Sequence, residues 1–178
     1  MTPRYTHRLD YYTGSRWFQG ALVLALIGVL ASGLLSALSD ARERAERQWV
    51  DLLIRHMRTG MQLAMGMAIM QQRGGEMASW VDSNPVRWLD SLPQGYRGEC
   101  SIDESGALSA GEWCFERDRR ELVYRPQHSD HLHMLPEGGA CSQLRWRVAR
   151  APEAAASGAF VGLRIETAAS CQWLPEAR

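Results

Sequence analysis

The stretch Trp17 to Leu38, WFQGALVLALIGVLASGLLSAL, runs on from Ser39 to Met65 as SDARERAERQWVDLLIRHMRTGMQLAM. Its first part holds 22 consecutive residues without a charged side chain. As a helix that run crosses the roughly 30 Å hydrocarbon core of a bilayer, a length of apolar chain that a soluble domain rarely needs. It predicts a membrane anchor. From Ser39 the pattern stays helical but turns amphipathic, with Asp40 and Glu43 four residues from Arg44 and Arg47. Trp49, Leu52, Leu53, Met57, Gly60, Ala64, Met67 and Ala68 recur at three- and four-residue intervals and predict one apolar stripe. The Met-rich run Gly60 to Met70 reads as ordinary core, with a pliable partner surface as the other reading. Gly74 and Gly75 are expected to end the helix.

Working outward, residues 1–16 form a short polar tail carrying Arg4, Arg8 and Arg16, as the basic end of an export signal would. A cleaved signal peptide competes with an anchor. The apolar run exceeds the roughly 7–15 residues of a signal core and does not break at a cleavage site, so an uncleaved or slightly trimmed anchor is expected. Orientation carries a conflict. Arg42, Arg44, Arg47, Arg55 and Arg58 beyond the run outnumber the three Arg before it, opposite to the usual cytoplasmic excess of positive charge. Long domains translocate regardless of flanking charge, and the cysteines favour an oxidising compartment for the C-terminal side.

The 140 residues after Leu38 suffice for one domain with a single core. Net charge is zero and the pI near 7.0, so no global field points to nucleic acid as a partner. All 20 basic residues are Arg, a usage that suits a GC-rich bacterial genome. Cys100, Cys114, Cys141 and Cys171 all lie beyond the anchor, and none has the C-x-x-C spacing of zinc sites. Disulfides are expected, and for a bacterial protein the compartment is the periplasm. Three connectivities are open, with local pairing of Cys100 with Cys114 and of Cys141 with Cys171 preferred.

Asn84-Pro85 and Pro93 interrupt two short helical turns, and Trp80, Trp88 and Tyr96 are expected to clamp that loop onto the domain. Beyond Tyr96 the period falls to two. EWCFE (Glu112 to Glu116) and ELVYR (Glu121 to Arg125) predict a hairpin around RDRR. In QLRWRVAR, Leu144, Trp146 and Val148 face one way, with Arg145, Arg147 and Arg150 opposite or at the rim. AFVGLRIET predicts a strand around Phe160, Val161, Leu163 and Ile165, and CQWL closes the pattern. The fold class is α+β: a long N-terminal helix, transmembrane then amphipathic, packed on a small antiparallel sheet. The expected segments are 1–16 as a cytoplasmic tail or leader, 17–38 as the transmembrane helix, 39–75 as its amphipathic continuation, and 76–178 as a periplasmic loop and sheet domain.

Chemistry has few candidates. His128, Asp130, His131 and His133 have metal-ligand side chains, but they sit between Pro126 and Pro136 in what reads as a polar loop, so no metal and no cofactor is expected. His56 reads as half-buried packing beside the helix stripe. No phosphate loop, nucleophile elbow or H-E-x-x-H motif occurs, and no nucleophile and base can be placed together, so an enzyme is not expected. The Arg side chains of QLRWRVAR read as a solvated face guarding a sheet edge, ahead of an anion-binding stripe.

An apolar helix continuing as an amphipathic helix into a small disulfide-bearing sheet resembles the type IV pilin and pseudopilin architecture. Within it, Asn84-Pro85-Val86-Arg87-Trp88-Leu89, Pro93 to Tyr96, Gly98-Glu99, Gly111-Glu112-Trp113 to Phe115 and Leu122 to Arg125 resemble the MshF-type biogenesis proteins of the mannose-sensitive haemagglutinin (MSHA) type IV pilus. The resemblance covers Trp17 to Arg125. It implies a single-pass inner-membrane protein with a periplasmic C-terminal domain, acting in pilus assembly. The implied partners are other pilin or pseudopilin subunits, inner-membrane assembly proteins and membrane lipid. Pilins are cut after a Gly that precedes an aromatic residue and carry Glu at the fifth mature position. Here Gly14 is followed by Ser15, and Gln19 stands where that Glu would be, a degenerate processing site that fits an uncleaved accessory subunit as well as a minor pilin. Gly20, Gly28, Ala31 and Gly33 offer small side chains for close helix approach. A single-pass periplasmic sensing or binding module is the alternative, and it requires a ligand pocket in the sheet domain.

Overall fold

The computed structural model describes residues 11–129, 132–134, 141–151, 162–168 and 171–173. Helix α1 spans Tyr11–Met70, and two 3-10 turns follow at Gly74–Trp80 and Pro85–Trp88. Then come β1 (Tyr96–Cys100), α2 (Ile102–Gly106), β2 (Trp113–Glu116), β3 (Glu121–Tyr124), β4 (Leu132–Met134), β5 (Leu144–Arg150), β6 (Leu163–Thr167) and β7 (Cys171–Trp173). The chain divides into two compact units, Met1–Arg42 and Glu43–Arg178.

In the first unit the apolar side chains of α1 are exposed along its length, among them Leu24, Val29, Leu34 and Leu35. The second unit is an α+β domain. Its main sheet has the order β1-β2-β3-β5-β6, and β4 pairs with β7 in a separate two-stranded sheet. The expected hairpin is present, with Trp113 opposite Tyr124 and Glu116 opposite Glu121.

The sheet is mixed, not antiparallel as expected, because β1 runs parallel to β2. Parallel neighbours need a crossover of about a dozen residues, and here residues 101–112 supply it, with α2 inside them. Sequence reading had no helix there. Its signal is nevertheless present in Ser101 and Glu104: the Ser101 hydroxyl accepts from the Glu104 N–H, and the Glu104 carboxylate accepts from the Ser101 N–H at 2.7 Å. This reciprocal cap satisfies two of the donors that a helix start leaves open.

The two faces of the main sheet are buried by different partners. On one, Val50, Ile54, Met57 and Met61 of α1 meet Trp113, Leu122, Tyr124, Trp146, Val148 and Ile165. On the other, Cys100, Leu108, Cys114 and Val123 form a smaller cluster under α2. With both faces covered, all four residues of β2 are buried, whereas β5 alternates with Leu144, Trp146 and Val148 inward as expected. Full burial of side chains such as Met57 and Met61 contributes about 1.5–3 kcal/mol each.

The helix stripe is rotated from the expected one. Val50, Ile54, Met57, Met61 and Ala68 are buried, while Leu52 and Met67 are about half exposed. Both sets have helical spacing, and the sheet chose between them. His56, expected to be half-buried, is exposed for the same reason. The helix ends at Met70, with Gln72 in the left-handed region at φ 61°. Gly74 and Gly75, expected as its terminator, instead open the first 3-10 turn. The aromatic clamp is present: Trp80, Trp88 and Tyr96 pack against the core, and the Asn84 amide donates to the Tyr96 hydroxyl at 2.7 Å.

Candidate functional site

Two surfaces of α1 and two polar centres of the domain stand out among the described residues. The first surface is the apolar run itself. Its most apolar window has a mean hydropathy of 2.5 and none of it is buried, and 22 helical residues extend about 33 Å, matching the bilayer core. Its two serine hydroxyls are satisfied within the helix, Ser32 donating to the Val29 carbonyl at 2.9 Å and Ser36 to the Ser32 carbonyl at 3.1 Å. A polar group in hydrocarbon requires such internal pairing. Around Gly20, Gly28 and Gly33 a Cβ would meet nothing within 4 Å, and Ala31 is exposed, so these four small residues leave open surface on the first unit. Gly14 and Ser15 lie within α1, and Gln19 is exposed further along it.

The second surface lies on α1 within the domain, where Leu52, Leu63, Met67, Ile69 and Met70 are 47–83% exposed. Leu52, Leu63, Met67 and Met70 share one face of the helix, roughly opposite the core residues Val50, Ile54, Met57 and Met61, while Ile69 lies on its flank.

The first polar centre is Glu46 on α1. Its Oε1 accepts from the Tyr124 hydroxyl at 2.7 Å and from the Gln127 N–H at 2.6 Å. Its Oε2 accepts from the His128 N–H at 3.0 Å and lies 2.9 Å from His128 Nδ1. One helix carboxylate therefore fixes the end of β3 and the chain leaving it. Burial, and next the adjacent Glu46 carboxylate, push the Tyr124 phenol far above its ordinary value, keeping it neutral and donating. The sequence by itself assigns no role to Glu46. Further along α1, Arg58 donates to the Ile165 carbonyl at 3.2 Å.

The second centre is Glu116, fully buried at the end of β2. Ser105 donates to its Oε2 at 2.6 Å and Arg145 at 2.8 Å, with Arg119 3.6 Å from its other oxygen. Arg145 also reaches Glu121 at 3.1 Å. Burial pushes the Glu116 carboxyl up, but the Ser105 and Arg145 hydrogen bonds and the charges of Arg145 and Arg119 outweigh it and hold the group below the ordinary carboxylate range. Arg145 is only 15% exposed, so the reading of this arginine as solvated edge protection is corrected: it neutralises a buried acid. Arg147, paired with Glu166 at 2.7 Å and half exposed, fits the solvated reading better.

Among the described residues no group of three or more His, Cys, Asp or Glu side chains is placed to hold a metal. Of the His-rich segment, His128 binds Glu46 and His133 lies on β4 opposite Gln172. Asp130 and His131 lie outside the described residues, as do Phe160 and Val161 of the expected strand. The disulfides join Cys100 to Cys114 and Cys141 to Cys171, the local pairing. The first ties β1 to β2 and the second ties Cys141, just ahead of β5, to β7.

Protein-family models, curated proteins and solved structures give no match to this chain. The class it belongs to is set by its own architecture: one N-terminal helix apolar enough to span a membrane, carried on into a disulfide-bonded α+β domain, is compatible with a single-pass membrane protein.

Proposed function

We propose that this chain is a membrane-anchored, pilin-like accessory or structural component of a type IV pilus of the MSHA kind, or of a related secretion apparatus. The observation that carries the reading is that one helix serves two roles: residues 17–38 are apolar and unburied, whereas Val50 to Met61 build the core of the domain. In this reading the anchor holds the subunit in the bacterial inner membrane with the domain in the periplasm, and the open face of α1 packs beside helices of other pilin or pseudopilin subunits. The small residues Gly20, Gly28, Ala31 and Gly33 permit close approach. The work is done by helix packing, with no chemical step.

Two measurements test this. Deleting the gene is expected to reduce piliation and the associated adhesion or motility, and unchanged piliation would sink the reading. Intact mass and N-terminal sequencing from native membranes, with and without prepilin peptidase, separate its two forms: a peptidase-dependent terminus at Ser15 makes a processed minor pilin, and an uncut terminus an accessory that stays in the membrane. A second reading, a single-pass periplasmic binding module, is favoured by a cleft between α1 and the strands lined by Arg47, Asp51 and Trp146.

A further inference from the structure

The two disulfides occupy unlike places in the domain. Cys100–Cys114 joins neighbouring strands of the main sheet, and both residues are buried with Leu108 and Val123 in the cluster under α2. Cys141–Cys171 joins the chain ahead of β5 to β7, a strand outside the main sheet. Cys171 is buried, whereas Cys141 is partly exposed. A thiolate opens a disulfide only where it reaches a sulfur, and exposed bridges are the labile and regulatory ones.

What the second bridge holds is separable from the rest of the domain. β4 and β7 pair with each other through Leu132 and Trp173, His133 and Gln172, and Met134 and Cys171. Among the described residues neither strand pairs with the main sheet. Leu132, Cys171 and Trp173 nevertheless belong to the hydrophobic core, together with Leu144 and Trp146 of β5. Cys171 and Trp173 also border, with those two β5 residues, a cleft of about 210 Å³. The small sheet is therefore a flap over one part of the core, seated by apolar contact and by one disulfide. An isolated pair of strands is marginally stable at best, so the bridge contributes much of what holds this one in place.

We propose that Cys141–Cys171 is a redox switch. A dithiol reduces it in the folded domain, which frees β7 and with it β4 and uncovers Leu144 and Trp146. Cys100–Cys114 stays closed and keeps the main sheet intact. In the exchange one thiolate of the dithiol attacks Cys141 Sγ. The S–S bond breaks, and its electron pair leaves on Cys171 Sγ, which takes up a proton. The second thiolate of the dithiol then attacks the reductant's own sulfur in the mixed disulfide, closing the reductant as a disulfide and releasing Cys141, which is protonated in turn. Two electrons and two protons pass from the dithiol to the protein. The inference rests on the placement of the bridges and is independent of the pilus reading.

The test is a titration of the full chain in detergent micelles with dithiothreitol, with free thiols trapped by alkylation and located by peptide mass spectrometry. Cys141 and Cys171 are expected to be alkylated at a dithiothreitol concentration at least about ten-fold below the one that opens Cys100–Cys114. Hydrogen exchange on the partly reduced protein should show the amides of β4 and β7 losing protection by at least about ten-fold, with β2 and β3 unchanged. C141S/C171S should give the same exchange pattern without reductant, and the reduced natural chain supplies the readout if that variant does not fold. Both bridges opening together, or Cys100–Cys114 opening first, overturns the proposal. Unchanged protection of β4 and β7 after reduction, or loss of protection in β2 and β3 with them, also overturns it and leaves a structural bridge only.

Discussion

The Tyr124 hydroxyl donates to Glu46 Oε1 at 2.7 Å, joining β3 to a helix residue 78 positions earlier in the chain. The same carboxylate also takes the N–H groups of Gln127 and His128. Glu46 is thus the point at which the start of the amphipathic helix is fixed to the sheet. Exchanging it for Gln removes the charge and turns an NH₂ group towards donors. E46Q is expected to lower domain stability by about 2 kcal/mol and the Tm by roughly 6 °C, read by thermal unfolding followed through tryptophan fluorescence.

Tyr124 also gives the domain an alkaline limit. Its folded-state pKa is raised by burial and by Glu46 above the unfolded value of about 10. Its contribution is therefore complete below that unfolded value and is lost as pH rises beyond it. Denaturant unfolding at stepped pH should show stability falling above about pH 10, with a shallower fall in Y124F, which retains the ring stacked on Trp113 at 4.0 Å.

Glu116 sets the limit at the acid end. Because its folded pKa is depressed, its contribution is present above the unfolded value of about 4.3 and is lost as pH falls through the folded one. Removing Arg145 should be worse than acid alone, since it leaves the buried carboxylate with only the more distant, half-exposed Arg119 as a cation among the described residues. R145M is expected to cost about 3–5 kcal/mol at neutral pH, whereas R147M, at a half-exposed pair, should cost under about 1 kcal/mol. Equal losses in the two variants would refute the burial argument.

Two glycines of α1 separate close packing from propensity. A Cβ at Gly60 would overlap the Trp88 carbonyl oxygen, while at Gly66 it would meet nothing within 4 Å. G66A is expected to stabilise by about 0.8–1 kcal/mol through helix propensity. G60A is expected to destabilise by at least about 1–3 kcal/mol, as overpacking of a tight contact does. Chemical denaturation of the two variants in parallel gives the comparison, with opposite signs as the required result.

The disulfides close loops of 14 and 30 residues. Loop-closure entropy puts their contributions at about 3 and about 3.5 kcal/mol. The double exchanges C100S/C114S and C141S/C171S should each lower the denaturation midpoint by the corresponding amount, with the second the larger. Thiol labelling of native protein before reduction should find all four cysteines blocked.

Much of the architecture was written locally. The anchor-length run, the β2–β3 hairpin, the inward face of β5 and the aromatic clamp around Asn84-Pro85 follow from patterns a few residues wide, where period and turn chemistry act directly. The cap Ser101-x-x-Glu104 is equally local, but the helix it starts is only 5 residues long, too short to show a helical period between the flanking strands. The parallel pairing of β1 with β2 was harder to see, because each strand reads alike in either direction and only the crossover distinguishes them.

The sequence by itself determined that an apolar helix of membrane-spanning length precedes a domain able to build one α+β core with all its cysteines beyond that helix, since composition and periodicity fix those properties without any long-range contact. The tertiary structure alone decided which helix stripe is buried, that Glu46 and Glu116 are structural acids among many surface carboxylates, and that Arg47, Asp51 and Trp173 line one cleft. The physical reason is distance along the chain. Glu46 meets its partners 78 to 82 residues away, and a charge on a helix carries no local mark of what will be folded against it.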